Sequence, residues 1–149
     1  KKGEVTINAQ KIEEERQILW NKIGDFCAIS AWHPEISDCQ KTQDGGHVFR
    51  TLTFKDGTYS QEVLTEQGSS GYKYEIVKST LPVQNFQGMF SISPDDEDLD
   101  ELNIQWSATY DAKDRDEKEA RKRMDDFFTK GIQNLVKMYG KEDKTQDND

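Results

Sequence analysis

The chain has 149 residues, of which 33% are charged, and a formal net charge of −9 at pH 7, as expected for one well-solvated domain. The acidic balance argues against nucleic acid and anionic membranes, because both attract surfaces rich in Lys and Arg. No apolar run in this sequence approaches the roughly 20 residues that span a bilayer, and none has the pattern of a secretory h-region. We therefore expect a cytoplasmic protein without integral membrane contact, with N-terminal processing or truncation left open because the sequence begins at Lys1.

The two cysteines, Cys27 and Cys39, are too few for a disulfide scaffold, and we predict that both are reduced thiols. Together with His33 and His47 they supply the ligand types of a zinc site. Their spacing fits none of the paired zinc patterns, so we predict no metal site and no cofactor.

The first third of the chain has the pattern of a strand followed by helical segments. Alternating apolar residues predict a strand over residues 4–9, and an apolar stripe predicts a helix over residues 10–27. Pro34 then limits any second helical turn around residues 31–36, because proline interrupts the hydrogen bonds of a helix.

Between residues 47 and 111 the apolar pattern has a period of two, which is typical of strands. Turn signals at Asp56-Gly57 and at residues 68–71 separate the first stretches, so we predict an antiparallel meander. The residues that share a face along each strand are Val48, Arg50, Leu52 and Phe54; Ser60, Glu62 and Leu64; Tyr72, Tyr74 and Ile76; Phe86, Gly88, Phe90 and Ile92; and Leu102, Ile104, Trp106, Ala108 and Tyr110.

A long amphipathic helix is predicted at residues 117–139, where it can lie across the sheet. Roughly 23 residues span about 35 Å, which matches the diagonal of a sheet with strands of about 6–8 residues. Gly131 in its stripe indicates space near a cavity, a close crossing of the sheet, or a tolerated weak position. The stripe consists of Ala120, Met124, Phe127, Phe128, Gly131, Leu135 and Met138. The fold class is therefore α+β, with one domain over residues 1–140 and a disordered acidic tail over residues 141–149.

Arg50 and Glu62 are charged residues on otherwise apolar strand faces. If their strands join through the Asp56-Gly57 turn, paired positions sum to about 113, which places Arg50 opposite residue 63 and beside Glu62. Opposite charges on an inward face must pair, since each alone would bear several kcal/mol of desolvation. They form either an internal ion pair or a site in which Arg50 binds a carbonyl or anionic oxygen while Glu62 moves a proton.

Five further residues are candidates for the same interior. Tyr74 either packs in the core or donates a hydrogen bond, and Trp32 either packs or covers a cavity mouth. The imidazole of His33 suits proton transfer, although a capping or surface position is the commoner role for such a residue. Trp106 and Phe128 face each other as sheet floor and helix roof, either as core or as a pocket lining.

In their order and spacing, these residues resemble the polyketide cyclase/dehydrase branch of the START-like (SRPBCC) superfamily over nearly all of residues 5–139. The matching segments are Ile23-Gly24-Asp25-Phe26, Trp32-His33-Pro34, Arg50-Thr51-Leu52, Asp56-Gly57, Glu62, Tyr72-x-Tyr74-Glu75-Ile76, Leu81-Pro82-Val83-x-Asn85, Trp106-Ser107-Ala108 and Gly131-Ile132-Gln133-Asn134-Leu135. The resemblance implies a helix-grip fold, in which a curved antiparallel sheet of about seven strands wraps around a long C-terminal helix, with two short helices near the N-terminal third. It also implies an internal cavity for an apolar or aromatic small molecule.

The resemblance also bears on catalysis. In the similar lachrymatory-factor synthases an Arg and a Glu on neighbouring strands carry the chemistry, and Arg50 and Glu62 occupy the matching places. The similar plant hormone receptors keep charged residues there and bind without catalysis. Phe86 follows Asn85 where relatives often have a tyrosine, so a phenol donor is missing, and this departure counts against catalysis.

We therefore predict a protein that binds a hydrophobic small molecule, such as a lipid, polyketide or aromatic metabolite, and that exists as a monomer or weak homodimer. In the alternative, a cofactor-free cyclase, dehydrase or isomerase, Arg50 and Glu62 are the catalytic residues. A third alternative is protein interaction, like that of the chaperone regulators of the superfamily. This role needs an exposed apolar patch, and the polar composition of the chain gives no sign of one. The residues predicted to bind the ligand are Trp32, His33, Arg50, Glu62, Tyr74, Phe86, Trp106 and Phe128.

Overall fold

The computed structural model of the chain describes residues 2–6, 12–95, 97, 101–114 and 116–140. Within them the strands are β1 (Lys2–Thr6), β2 (Ile36–Asp44), β3 (His47–Phe54), β4 (Tyr59–Gln67), β5 (Gly71–Ser79), β6 (Val83–Pro94) and β7 (Glu101–Ala112). The helices are α1 (Ile12–Ile23), α2 (Ile29–Trp32) and α3 (Glu117–Tyr139). The strands form one sheet in the order β1-β7-β6-β5-β4-β3-β2, and every neighbouring pair is antiparallel.

The described strands confirm the helix-grip fold with seven strands, but one of them has no apolar alternation in the sequence. In β2 only Ile36 is buried, and most of the strand is exposed. A strand at the sheet edge with polar residues on both faces lacks the period-two signal, so the pattern alone missed it. The seventh strand was implied only by the resemblance.

The N-terminal elements differ in their bounds from the prediction. Strand β1 begins earlier than the predicted 4–9, of which residues 7–9 lie outside the described part. Helix α1 ends at Ile23 and does not reach Cys27. Asp25 explains this end, because its carboxylate accepts the Cys27 N–H at 3.1 Å and its carbonyl accepts the Ala28 N–H at 2.9 Å, which replaces helix by turn. The predicted turn at 31–36 is α2, placed slightly earlier.

Helix α3 has the predicted bounds. Asp116 caps its first turn by accepting the Glu119 N–H at 3.0 Å, which satisfies one of the free donors at the helix start. The predicted stripe is buried except for Met138, which is 44% exposed, while Ile132 is buried instead. The stripe therefore faces the sheet through nearly the whole length of the helix.

Four register shifts interrupt the ladders, at residues 36/38, 61/62, 64/66 and 84/87, and such irregularities bend the strands that contain them. The stretch that holds α1 and α2 runs from one sheet edge, β1, to the other, β2. Among the described residues, no helix is both long and apolar enough to cross a membrane.

Cys27 and Cys39, predicted as reduced thiols, form a disulfide with their Cα atoms 5.5 Å apart. The bond joins the turn after α1 to strand β2, so it depends on a strand that the sequence pattern did not reveal. Stable disulfides are typical of oxidising compartments. The bond therefore counts against the cytoplasmic location, which stays a prediction.

Candidate functional site

Arg50 of β3 and Glu62 of β4 form an ion pair inside the sheet's concave face. The two residues are register partners, one position off the predicted pairing with residue 63, and are only 0% and 3% exposed. Arg50 Nε donates to Glu62 Oε1 at 2.8 Å, and Ser60 Oγ donates to Glu62 Oε2 at 2.8 Å. Both carboxylate oxygens are thus engaged, as a buried charge requires.

The other side of the Arg50 guanidinium meets the turn after α1 and strand β5. Its Nη1 donates to the Phe26 carbonyl at 2.6 Å and to the Tyr72 hydroxyl at 3.1 Å. Its carbon lies 4.0 Å from the Phe26 ring centre and 4.8 Å from that of Tyr74, both within cation–π range. Burial by itself lowers the pKa of Arg50, but Tyr72 and Glu62 raise it above its ordinary value, so the group stays charged.

Two buried N–H donors in this interior have no hydrogen-bond acceptor among the described residues: Arg50 Nη2 and Trp32 Nε1. Arg50 Nη2 lies 2.7 Å from Glu62 Oε1, which is an electrostatic contact, but its N–H bonds are not aimed at that oxygen. Buried donors normally find a partner, so a water molecule or a bound ligand atom is the expected acceptor at each of these positions.

Trp106 of β7 is the centre of the aromatic cluster between the sheet and α3. Its ring stacks on Phe128 at 4.4 Å between ring centres and meets Trp32 edge-on at 5.5 Å. Its Nε1 donates to the Tyr74 hydroxyl at 2.8 Å, and Tyr74 in turn lies 5.6 Å from Phe86. Burial raises the pKa of Tyr74 well above its ordinary value, so the phenol keeps its proton.

His33 is part of the same cluster, but neither of its ring nitrogens is free for proton transfer. It is 2% exposed and stacks on Phe127 at 4.1 Å. Its Nε2 lies 2.7 Å from the Phe127 carbonyl, and its Nδ1 accepts the Glu35 N–H at 3.1 Å, which places the proton on Nε2. Burial lowers the pKa of His33 to about 4, so the ring is neutral and ties α2 to α3.

The structure thus brings all eight predicted site residues into one connected interior, through the contacts just described.

The space beside Gly131 is occupied by aromatic rings. A Cβ atom at this position would lie 2.7 Å from His33 Cδ2 and 2.9 Å from Trp106 Cζ3. Gly131 therefore marks the close crossing of helix and sheet. Four hollows lined by described residues lie elsewhere, on the outer face of β4–β7, at the start of α3 and at the β3–β4 turn. An enclosed cavity stays a prediction.

Sequence reasoning missed three residues that contact the ion pair: Phe26, Ser60 and Tyr72. Ser60 and Tyr72 share strand faces with Glu62 and Tyr74, so the alternation already placed them inward. The role of Phe26 had no such signal, because it acts through a backbone carbonyl in a turn that was predicted as helix.

Comparison with known proteins supports the architecture. Residues 8–140 match the family described as polyketide cyclase / dehydrase and lipid transport, which confirms the resemblance stated from the sequence. No curated protein matches the chain.

Solved structures share the fold at low sequence identity. The protein XoxI from Bacillus cereus is 20% identical, with 93% of this chain and 92% of that one covered and a TM-score of 0.79. A protein from Thermobifida fusca is 24% identical, with 93% and 90% covered and a TM-score of 0.71. The Zhui aromatase/cyclase from Streptomyces sp. R1128 is 11% identical, with 93% and 90% covered and a TM-score of 0.63. Identities this low establish the fold alone.

Proposed function

Because the chain belongs to the polyketide cyclase / dehydrase and lipid transport family, we propose that it binds a hydrophobic small molecule between the sheet and α3. The molecule is a lipid, polyketide or aromatic metabolite with a carbonyl or carboxylate oxygen, and Arg50 is its anchor. The observation that carries this proposal is a fully buried guanidinium, paired with Glu62 and enclosed by aromatic rings, in the interior between the sheet and α3.

The chemistry of the interior favours such a ligand. Aromatic rings supply an apolar surface, and a few placed polar groups orient a bound molecule, which is the usual composition of small-molecule sites. A ligand oxygen that accepts from Arg50 Nη2 or Trp32 Nε1 adds a hydrogen bond to a buried donor, which is worth about 0.5–1.5 kcal/mol net.

Glu62 is better placed to hold Arg50 than to abstract a proton. Both of its oxygens accept hydrogen bonds, from Arg50 Nε and Ser60 Oγ, and the side chain is 3% exposed, so the carboxylate is oriented towards the guanidinium. This arrangement supports binding over the cyclase, dehydrase or isomerase alternative.

Ligand entry requires the interior to rearrange. Trp32, Trp106 and Phe128 meet across the space between sheet and helix, so a ligand must displace at least some of these rings. Binding that requires a conformational change is slower than docking to a preformed pocket.

A thermal-shift screen with lipids, polyketides, flavonoids and hormones tests the proposal, since a ligand at 100 times its Kd adds about 2.7 kcal/mol of stability. The screen is run both with the Cys27–Cys39 disulfide intact and after its reduction by a dithiol. For any hit, the double variant Arg50→Met with Glu62→Leu should abolish the shift, while Arg123→Met on α3 should keep it. Replacing both members of a buried pair by apolar residues is often tolerated, so the double variant should fold. A screen without a hit, or a hit that the double variant binds unchanged, contradicts the proposal.

The variant Glu62→Gln separates binding from catalysis once a ligand is known. Turnover that disappears while affinity is kept would establish the enzyme alternative. Affinity that falls with no turnover in the wild-type protein supports a binding protein.

A further inference from the structure

The turn after α1 covers the face of Arg50 that Glu62 leaves open. The Phe26 carbonyl accepts from Nη1 at 2.6 Å, and the Phe26 ring lies 4.0 Å from the guanidinium carbon. Phe26 itself is buried. One residue of the protein therefore presents to Arg50 an acceptor oxygen and an apolar ring, the two features expected of a ligand.

Both neighbours of Phe26 are fastened to strand β2. Asp25 forms an ion pair with Lys41 at 2.7 Å, and Cys27 forms the disulfide with Cys39. The register of β2 with β3 places Lys41 opposite Arg50 and Cys39 opposite Leu52. The ion pair and the disulfide therefore both start from β2 residues that lie close to Arg50, the residue that Phe26 covers.

The two ties differ in strength. The side chains of Lys41 and Asp25 are 43% and 57% exposed, and exposed ion pairs hold weakly because water screens them. The disulfide is covalent, and both of its cysteines are only partly buried, so a reductant can reach it. The disulfide is the tie whose removal would free the turn.

We propose that residues 25–28 form a lid over Arg50 and that the Cys27–Cys39 disulfide is the latch of that lid. With the disulfide intact, the Phe26 carbonyl on Nη1 and the Phe26 ring block the approach to the guanidinium, including its Nη2 donors. Once the disulfide is reduced, the lid lifts and an oxygen-bearing aromatic or lipid molecule reaches these donors. The ligand part rests on the proposed function, whereas the latch does not.

The opening step is thiol–disulfide exchange with a dithiol. A thiolate of the dithiol attacks one sulfur, the S–S bond breaks, and the second thiol resolves the mixed disulfide. The protein disulfide takes up two electrons and two protons to give two thiols, and the dithiol becomes a disulfide.

Phenylglyoxal, an aromatic dicarbonyl that modifies arginine, tests access to Arg50 directly. We would follow Arg50 by mass spectrometry, with exposed Arg121 as internal reference, in the oxidised protein and in the Cys27→Ser/Cys39→Ser double variant. Opening of the lid should raise the rate at Arg50 relative to Arg121 at least about tenfold. The variant Lys41→Gln, which removes the weaker tie, should leave Arg50 protected.

Hydrogen exchange of the dithiol-reduced wild-type protein separates local opening from general loss of stability. The amides of residues 24–29 should exchange faster relative to those of β6 and β7 by about tenfold or more. An unchanged Arg50 rate, a parallel rise of all amides, or equal opening in Lys41→Gln would overturn the latch. Because phenylglyoxal needs no natural ligand, this result is independent of whether the ligand screen succeeds.

Discussion

At the scale of single residues, Arg50 is a charged side chain with 0% exposure, and its partners are what make that burial possible. A guanidinium has five N–H donors, and here they meet a carboxylate, a carbonyl and a hydroxyl. The two remaining N–H groups, both on Nη2, lie beside Glu62 Oε1, 2.7 Å from the nitrogen. The Arg50 charge is thus compensated from three sides, which is what its complete burial requires.

His33 predicts a pH dependence of stability. Its pKa is about 4 in the folded protein against an ordinary 6.5, so between these values the unfolded chain binds a proton that the folded one does not. Stability should therefore fall as pH drops from 6.5 to 4, by up to about 1.4 kcal/mol per pH unit, and this contribution levels off below pH 4.

The variant His33→Gln is the matched test, because it keeps an N–H donor for the Phe127 carbonyl and removes the titrating group. Urea unfolding at several pH values should show a shallower decline for the variant between pH 6.5 and 4. Equal slopes for both proteins would show that His33 is not the group that senses pH.

At the scale of elements, α3 and β2 depend on different interactions. The buried stripe of α3 packs on rings of the sheet and of α2, and Asn134 donates to the Trp32 carbonyl at 2.8 Å. Strand β2 is an exposed edge, held by its ladder with β3 and by the disulfide. Edge strands without a buried face contribute little packing, which makes the covalent tie more consequential.

Gly131→Ala tests the closeness of the helix crossing. Alanine favours a helix by about 1 kcal/mol over glycine, but its methyl group would lie within 3.0 Å of Trp32, His33 and Trp106 atoms. We expect a net loss of about 1–3 kcal/mol in urea unfolding, because overpacking forces rings out of place. Exposed Gln133→Ala on the same helix should change stability by less than about 0.5 kcal/mol. If Gly131→Ala instead stabilises the protein, the rings of Trp32, His33 and Trp106 can move aside at little energetic cost.

At the scale of the whole molecule, the N-terminal strand closes one edge of the sheet. Strand β1 pairs with β7 through five residue pairs, and Gly3 lies against Ile132 and Val136 of α3. The sheet edge and the helix are thus both covered by a short segment that is distant in sequence from each.

Deleting residues 1–6 should lower the free energy of unfolding by roughly 2–5 kcal/mol, since each lost ladder hydrogen bond is worth about 0.5–1.5 kcal/mol. The exposed edge of β7 should also promote association, visible by size-exclusion chromatography. As the matched control, deletion of residues 141–149, which lie outside the described residues, should change stability by less than about 0.5 kcal/mol, because this segment has no apolar side chain to bury. Equal stability after the N-terminal deletion would show that β1 is dispensable.

The sequence by itself determined the features that depend on local periodicity. The bounds of α3, strands β3 to β7, and the inward positions of Arg50, Glu62 and Tyr74 follow from apolar patterns that each segment carries alone. The position of strand β2 became clear only in the tertiary structure, because an edge strand buries too few residues to show an apolar pattern. The disulfide also required the tertiary structure, because it joins this strand to the turn after α1. The Phe26 carbonyl on Arg50 and the rings that fill the space beside Gly131 likewise belong to contacts between distant segments. Such contacts depend on how the elements pack in three dimensions, and no stretch of this chain encodes them locally.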